Sequence, residues 1–111
     1  TSSYFVPEGF PAVANYEVVE ALIESAEELN VPYHTGLTAS ASGFYGAQGR
    51  KIPGLPLRFP NLLDNLVEAN VYNFEMEAST LFIMSQIFGY RAGVICAVYA
   101  NRPKGLKSHK I

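Results

Sequence analysis

Two carboxylates, Glu75 and Glu77, stand two residues apart in the run Asn73-Phe74-Glu75-Met76-Glu77-Ala78-Ser79-Thr80. There a short β-like stretch over 71–74 gives way to a helix starting near Ala78. Side chains two apart on an extended backbone point to one side. The spacing therefore predicts that both acids face one space, with Met76 turned the other way or capping that space. Two like charges that close need a polar or cationic partner. One reading is chemical: a pair of acceptors at a strand end can grip vicinal hydroxyls such as those of a ribose. The other is structural: both are helix N-terminal acids, favoured there by the macrodipole.

A second constellation precedes it, Ser42-Gly43-Phe44-Tyr45-Gly46-Ala47-Gln48-Gly49-Arg50. Phe44 or Tyr45 could stack on a flat ring. Gln48 donates and accepts at once, as the edge of a pyrimidine requires. Arg50 supplies donors to a carbonyl oxygen and can stabilise charge developing on a leaving base. A surface loop with incidental polar residues would have the same composition.

Other chemistries find no support. There is no GxGxxG and no GxxxxGK[ST], and the Gly43 to Gly49 stretch lacks the helix-opening spacing. His34 and His109 stand alone, with no partner at zinc-ligand spacing, so no metal site is expected. Ser40 and Ser42 have no nearby histidine base and no GxSxG elbow, which argues against a nucleophilic serine.

The elements that must position these residues follow from periodicity. Asn15 can cap a helix running to about Leu29. Its apolar set, Val18, Val19, Leu22, Ile23, Ala26 and Leu29, recurs at three- and four-residue steps, and Glu17, Glu20, Glu24, Glu27 and Glu28 fill the other face. Residues 1–14 read as loop, with a short strand at Tyr4 to Val6. Tyr33 to Ser40 is a strand candidate. Residues 41–60 form a long glycine- and proline-rich segment, of the kind that in compact domains is functional or mobile. Leu62, Leu63, Leu66 and Val67 predict a short helix after Pro60. Residues 71–74 form the next strand, and Ala78 to Phe88 an apolar helix closed by Gly89. Ala92 to Ala100 reads as a strand buried on both faces, with Cys96 inside it as a small buried hydrophobe. The order is α/β, and the last strand-helix-strand suggests a right-handed parallel crossover.

Composition bounds the function. The 111 residues suffice for one domain, 49% are hydrophobic and 16% charged, so the chain is core-rich. A net charge of −2 gives no bias toward nucleic acid or anionic membrane. The basic stretch Arg102-Pro103-Lys104-Gly105-Leu106-Lys107-Ser108-His109-Lys110 lacks a stacking aromatic and reads as a solvated tail or loop. A single cysteine fits a reducing compartment. No apolar stretch approaches a membrane span and no signal-peptide pattern is visible. A chain that opens on Thr1 and stops in a basic loop reads as part of a larger domain.

Taken together, these segments resemble the nucleoside phosphorylase superfamily, and most closely its uridine phosphorylase branch. Tyr4 to Ala14 resembles the loop before a helix in these enzymes. His34-Thr35-Gly36-Leu37-Thr38-Ala39-Ser40 resembles the H-x-G-x-T-A-S strand, followed by an F-Y-x-x-Q-x-R uracil loop. Asn73 to Thr80 resembles N-[YF]-E-M-E-[SA]-x-[TS], and 92–102 resembles the strand that ends in N-R. The resemblance covers nearly the whole chain. It implies a single partial domain over 1–111, the nucleoside-binding half of a three-layer α/β/α fold with a mixed central sheet.

It also implies roles. Phe44 would stack on uracil, and Gln48 and Arg50 would bond its polar edge. Glu77 would hold the ribose hydroxyls, Met76 would pack the sugar, Glu75 would support the pocket and Arg102 would lie near the base. Arg50 and Glu77 would carry the catalytic load in a reversible, phosphate-dependent cleavage of uridine to uracil and ribose 1-phosphate, with inorganic phosphate as co-substrate and no cofactor. The superfamily's purine branch uses an Asp just after the last strand; Val98-Tyr99-Ala100-Asn101 offers none, which favours a pyrimidine. The family's phosphate loop and arginines lie outside this stretch, and Gly46, Ala47 and Gly49 depart from the bacterial pattern. A cytoplasmic homo-oligomer (a hexamer in the family), acting in pyrimidine salvage without nucleic acid or membrane partners, is the corresponding expectation. The alternatives are a non-catalytic nucleoside-binding or interaction fragment, and a nucleosidase or purine nucleoside phosphorylase of the same superfamily.

Overall fold

The computed structural model describes residues 2–104, 106 and 107. Helix α1 (Tyr16–Glu28) forms as its periodicity dictates. The Asn15 side chain accepts the Val18 N–H at 3.1 Å, the N-cap bond expected of that residue. Val18, Val19, Leu22 and Ile23 are half-buried and Ala26 is buried, while the glutamates stay exposed. Leu29, the last member of the apolar stripe, is the C-cap and lies exposed. The first residues do not form a strand: Ser2–Tyr4 is a 3-10 turn, closed by bonds from the Phe5 and Val6 N–H groups to the Ser2 carbonyl. No neighbouring strand supplies a ladder there.

Strand β1 (Leu37–Ser40) starts four residues later than the Tyr33 to Ser40 candidate. It pairs in parallel with β2 (Val71–Glu75), with a register shift between Leu37 and Thr38. A Cβ at Gly36 would collide with the Tyr72 ring, so the chain needs glycine where β1 begins. Between the strands run the turns of 41–60 and helix α2 (Leu62–Glu68), making the crossover that a parallel pair requires.

Helix α3 (Ala78–Phe88) follows β2 and ends at Gly89, whose φ of 74° places it in the left-handed region favoured at a helix C-terminus. Ala78, Phe82 and Ile83 of α3, with Ala26 of α1, are the buried apolar side chains of the described residues.

The run after α3 departs from expectation. Residues 90–99 carry no strand; Ile95 is 71% and Val98 82% exposed, and Cys96 is exposed rather than buried. A strand exists only where a partner completes its hydrogen bonds, and among the described residues β1 and β2 pair only with each other. Near the start of this run the Asn15 N–H donates to the Ala92 carbonyl at 2.8 Å. Strand β3 (Ala100–Asn101) pairs antiparallel with β4 (Leu106–Lys107). The expected parallel crossover through α3 is therefore not formed. The architecture is α/β, with helices beside a small parallel sheet.

Candidate functional site

Because β1 and β2 are parallel, both end at one edge, where Ser40 is paired with Glu75. The crevice beyond the carboxyl ends of such strands is where ligands of α/β sheets bind. Both sequence constellations start from this edge.

The Glu75 carboxylate is turned back onto its own scaffold. One oxygen, Oε1, accepts from the Ser40 hydroxyl and, at 3.2 Å, from the Thr38 hydroxyl. The other, Oε2, accepts the Glu77 N–H at 2.7 Å and the Ala78 N–H at 2.6 Å. Ser40 Oγ in turn accepts the Ser79 N–H at 2.9 Å. The Thr38 proton is shared with the Asn73 carbonyl, 3.3 Å away. Partial burial alone would raise the Glu75 pKa. The bonds from Ser40, the Ala78 and Glu77 N–H groups and Thr38 outweigh it and hold the carboxyl below its ordinary value of 4.5. The helix-terminus reading of this acid thus describes Glu75 well.

Glu77 differs. β2 stops at Glu75, so the alternation argument no longer governs the residue two further on. Glu77 is the N-cap of α3, with φ −128°, and its side chain makes no capping bond. It is exposed, as is Met76 beside it. The two carboxylates are therefore unequal: one is consumed by the fold and one is available.

The loop after β1 folds over itself. The Gly46 N–H donates to the Arg50 carbonyl at 3.0 Å. The Arg50 guanidinium lies 3.7 Å from the centroid of the Phe44 ring and donates to the Gln48 side-chain oxygen at 2.5 Å. Tyr45 meets Phe44 edge-on at 5.1 Å. Gln48 is buried, Phe44 about half exposed. A flat ring stacking on Phe44 would therefore use the face opposite Arg50. The Gln48 amide keeps its N–H groups and a second lone pair on its oxygen.

Arg102 links the two constellations. It donates to the Gln48 backbone carbonyl at 2.7 Å, and its guanidinium lies 5.7 Å from the centroid of Phe74, the residue before Glu75. It is half-buried, which corrects the solvated reading for Arg102, while Pro103 and Lys104 are exposed as expected. Arg102 to Lys104 form a 3-10 turn, while Gly105, Ser108, His109 and Lys110 lie outside the described residues. Burial, then the nearby Arg50 charge, lowers the Arg102 pKa. Among the described residues the ion pair present is the exposed Arg91–Glu17 contact at 2.7 Å, so neither Arg50 nor Arg102 is neutralised by a carboxylate. Two guanidiniums held together without a counter-charge suit an electron-rich edge or developing negative charge. A separate cleft of about 240 Å³ between residues 13–16, α3 and 90–92 is lined by Phe82, Ser85, Gln86 and Tyr90 and has no charged side chain.

A planar-ring loop, a guanidinium pair and a free carboxylate at one edge of a parallel sheet suit a protein that handles nucleosides. The Phosphorylase superfamily model matches residues 2–110, and the chain belongs to this superfamily. Its relatives are more particular. A uridine phosphorylase of Thermococcus kodakarensis is 55% identical over 106 residues, covering 92% of this chain and 38% of the relative. The uridine phosphorylase of Haemophilus influenzae is 40% identical over 104 residues, covering 91% of this chain and 41% of its own length. A guanosine phosphorylase of Halorubrum lacusprofundi is more distant, 30% identical over 105 residues, covering 95% of this chain and 39% of the relative. The chain thus spans 38% to 41% of the length of these relatives.

Of the residues singled out from sequence, the structure brings Phe44, Gln48, Arg50 and Arg102 into one cluster and joins it through Phe74 to the end of β2. Thr38 and Ser40 were missed as site residues. Two hydroxyls two apart on β1, opposite the Glu75 strand, are the trace they leave in the sequence, and it names no partner.

Proposed function

We propose that this chain supplies the base and ribose contacts of a uridine phosphorylase-like glycosyltransferase within a three-layer α/β/α domain. The observation that carries the reading is the Arg102 bridge, which ties the Gln48–Arg50 loop to Phe74 at the strand end that leads into Glu77. Uracil would lie against the open face of Phe44. Gln48 would donate to a ring carbonyl and accept from the ring N–H, and Arg50, turned off the Phe44 ring, would donate to the adjacent oxygen. Glu77 would hold the ribose hydroxyls with Met76 against the sugar.

In the reaction a phosphate oxygen bonds to the anomeric carbon as the bond from that carbon to the base breaks. The bonding pair leaves with uracil, which takes up a proton. The residues of this chain act by positioning and by stabilising that departing charge, for which Arg50 and Arg102 are placed. The phosphate ligands would come from the part of the relatives' length that this chain does not span. The reading assigns the enzyme to pyrimidine salvage in the cytoplasm, as a homo-oligomer whose neighbouring subunit completes the site.

The test uses the full-length protein that contains this chain. With phosphate present, uracil release from uridine is expected to exceed base release from inosine or adenosine. Release from the purine nucleosides but not from uridine would overturn the pyrimidine assignment.

A further inference from the structure

Glu75 stands beside Glu77 in sequence, yet its two oxygens receive four hydrogen-bond contacts, two each, from Ser40, Thr38, Glu77 N–H and Ala78 N–H. A carboxylate offers about four lone-pair sites. None is left for a substrate hydroxyl. The bonds also span three elements. Thr38 and Ser40 belong to β1, Glu75 ends β2, and the N–H groups of Ala78 and, through Ser40, of Ser79 open α3. The Glu77 peptide N–H is inside this knot while its side chain is outside it. The knot therefore fixes the backbone from which the Glu77 carboxylate projects.

We propose that Thr38, Ser40 and Glu75 form a positioning unit that never touches substrate, and that it acts on the reaction by aiming Glu77. This rests on the reading of Glu77 as the ribose clamp. The hydroxyl pair is essential to it, because only donors from β1 can hold Oε1 while Oε2 holds the helix N–H groups. Ser40 has a double task, donating to Glu75 and accepting from Ser79. Charge matters as well, since a neutral amide at position 75 could serve the N–H groups through its oxygen but would turn donors toward the two hydroxyls.

The test is a double-mutant cycle in the full-length protein, following uridine and 2′-deoxyuridine phosphorolysis. Glu75→Gln and Thr38→Val are each expected to lower kcat on uridine, by up to about a hundredfold for a misplaced clamp. Both should narrow the preference for uridine over 2′-deoxyuridine, and Thr38→Ser should restore both values. Uracil inhibition should be unchanged, because the base loop is untouched. In a Glu77→Gln background the same substitutions should add little, since residues acting through one another are not additive. Additive losses in that background would overturn the proposal and make Glu75 an independent ligand. So would failure of Thr38→Ser to restore what Thr38→Val loses. If Glu75→Gln does not fold, the Thr38 pair carries the cycle alone. A wild-type protein that releases no uracil would sink the functional reading itself, an outcome distinct from additivity in an active enzyme.

Discussion

Arg50 is restrained by the Phe44 ring beneath it and by the Gln48 oxygen beside it. Its planar fork, rather than its charge alone, matches that setting. Arg50→Lys in the full-length protein should therefore lower kcat/KM for uridine nearly as far as Arg50→Ala, by about a hundredfold or more if the group stabilises the departing base; a lysine variant with wild-type kinetics would contradict it. Glu75 leads to a pH prediction. Its carboxyl is held below 4.5 in the folded chain, so its stabilisation is complete above that value and is lost as pH falls through the depressed folded value. Acid unfolding of the full-length protein followed by circular dichroism should show wild type losing its advantage over Glu75→Gln below pH 4.5; parallel profiles would argue against it. Much at this scale was legible beforehand, because Phe44, Gln48 and Arg50 are adjacent in sequence and their types match one ligand edge. The fate of Glu75 was not. It depends on hydroxyls thirty-odd residues away in β1, and serine or threonine in a strand is too common to point at a partner.

At the scale of elements, α1 was readable because its apolar stripe and its cap are both local. Asn15→Ala in the full-length protein should lower stability by about 1 kcal/mol, the usual cost of a lost N-cap, measured as a lower denaturant midpoint with unchanged slope. No change in midpoint would mean that the Ala92 contact alone holds the helix start. Helices α2 and α3 were readable for the same reason, Pro60 and Gly89 marking a start and a stop. The strand readings fared worse. Ala92 to Ala100 has the composition of a buried strand, but composition cannot supply the neighbour that a ladder needs. Tyr4 to Val6 failed in the same way, and β1 begins only at Leu37, after Gly36 has passed close to Tyr72.

The whole molecule is looser than its composition suggests. Its radius of gyration is 15.5 Å, against about 13 Å for a compact domain of similar length. Tyr72, Ile95 and Val98 are more than half exposed, and the net charge of −2 gives little repulsion. Exposed apolar chain beside unpaired strand edges promotes association. The isolated 111-residue chain should self-associate in sedimentation; a monodisperse, cooperatively melting monomer would contradict this. It should also show no phosphorolysis alone, because it spans only 38% to 41% of the length of its relatives. The central claim, that base recognition resides in this chain and serves phosphate-dependent cleavage, is tested most directly by the rate of uracil release from uridine. That rate is compared between the full-length wild type and its Gln48→Ala variant, with and without phosphate. Phosphate-dependent release is expected, falling by about a hundredfold or more in the variant. Release indifferent to phosphate, or equal in the two proteins, would contradict it.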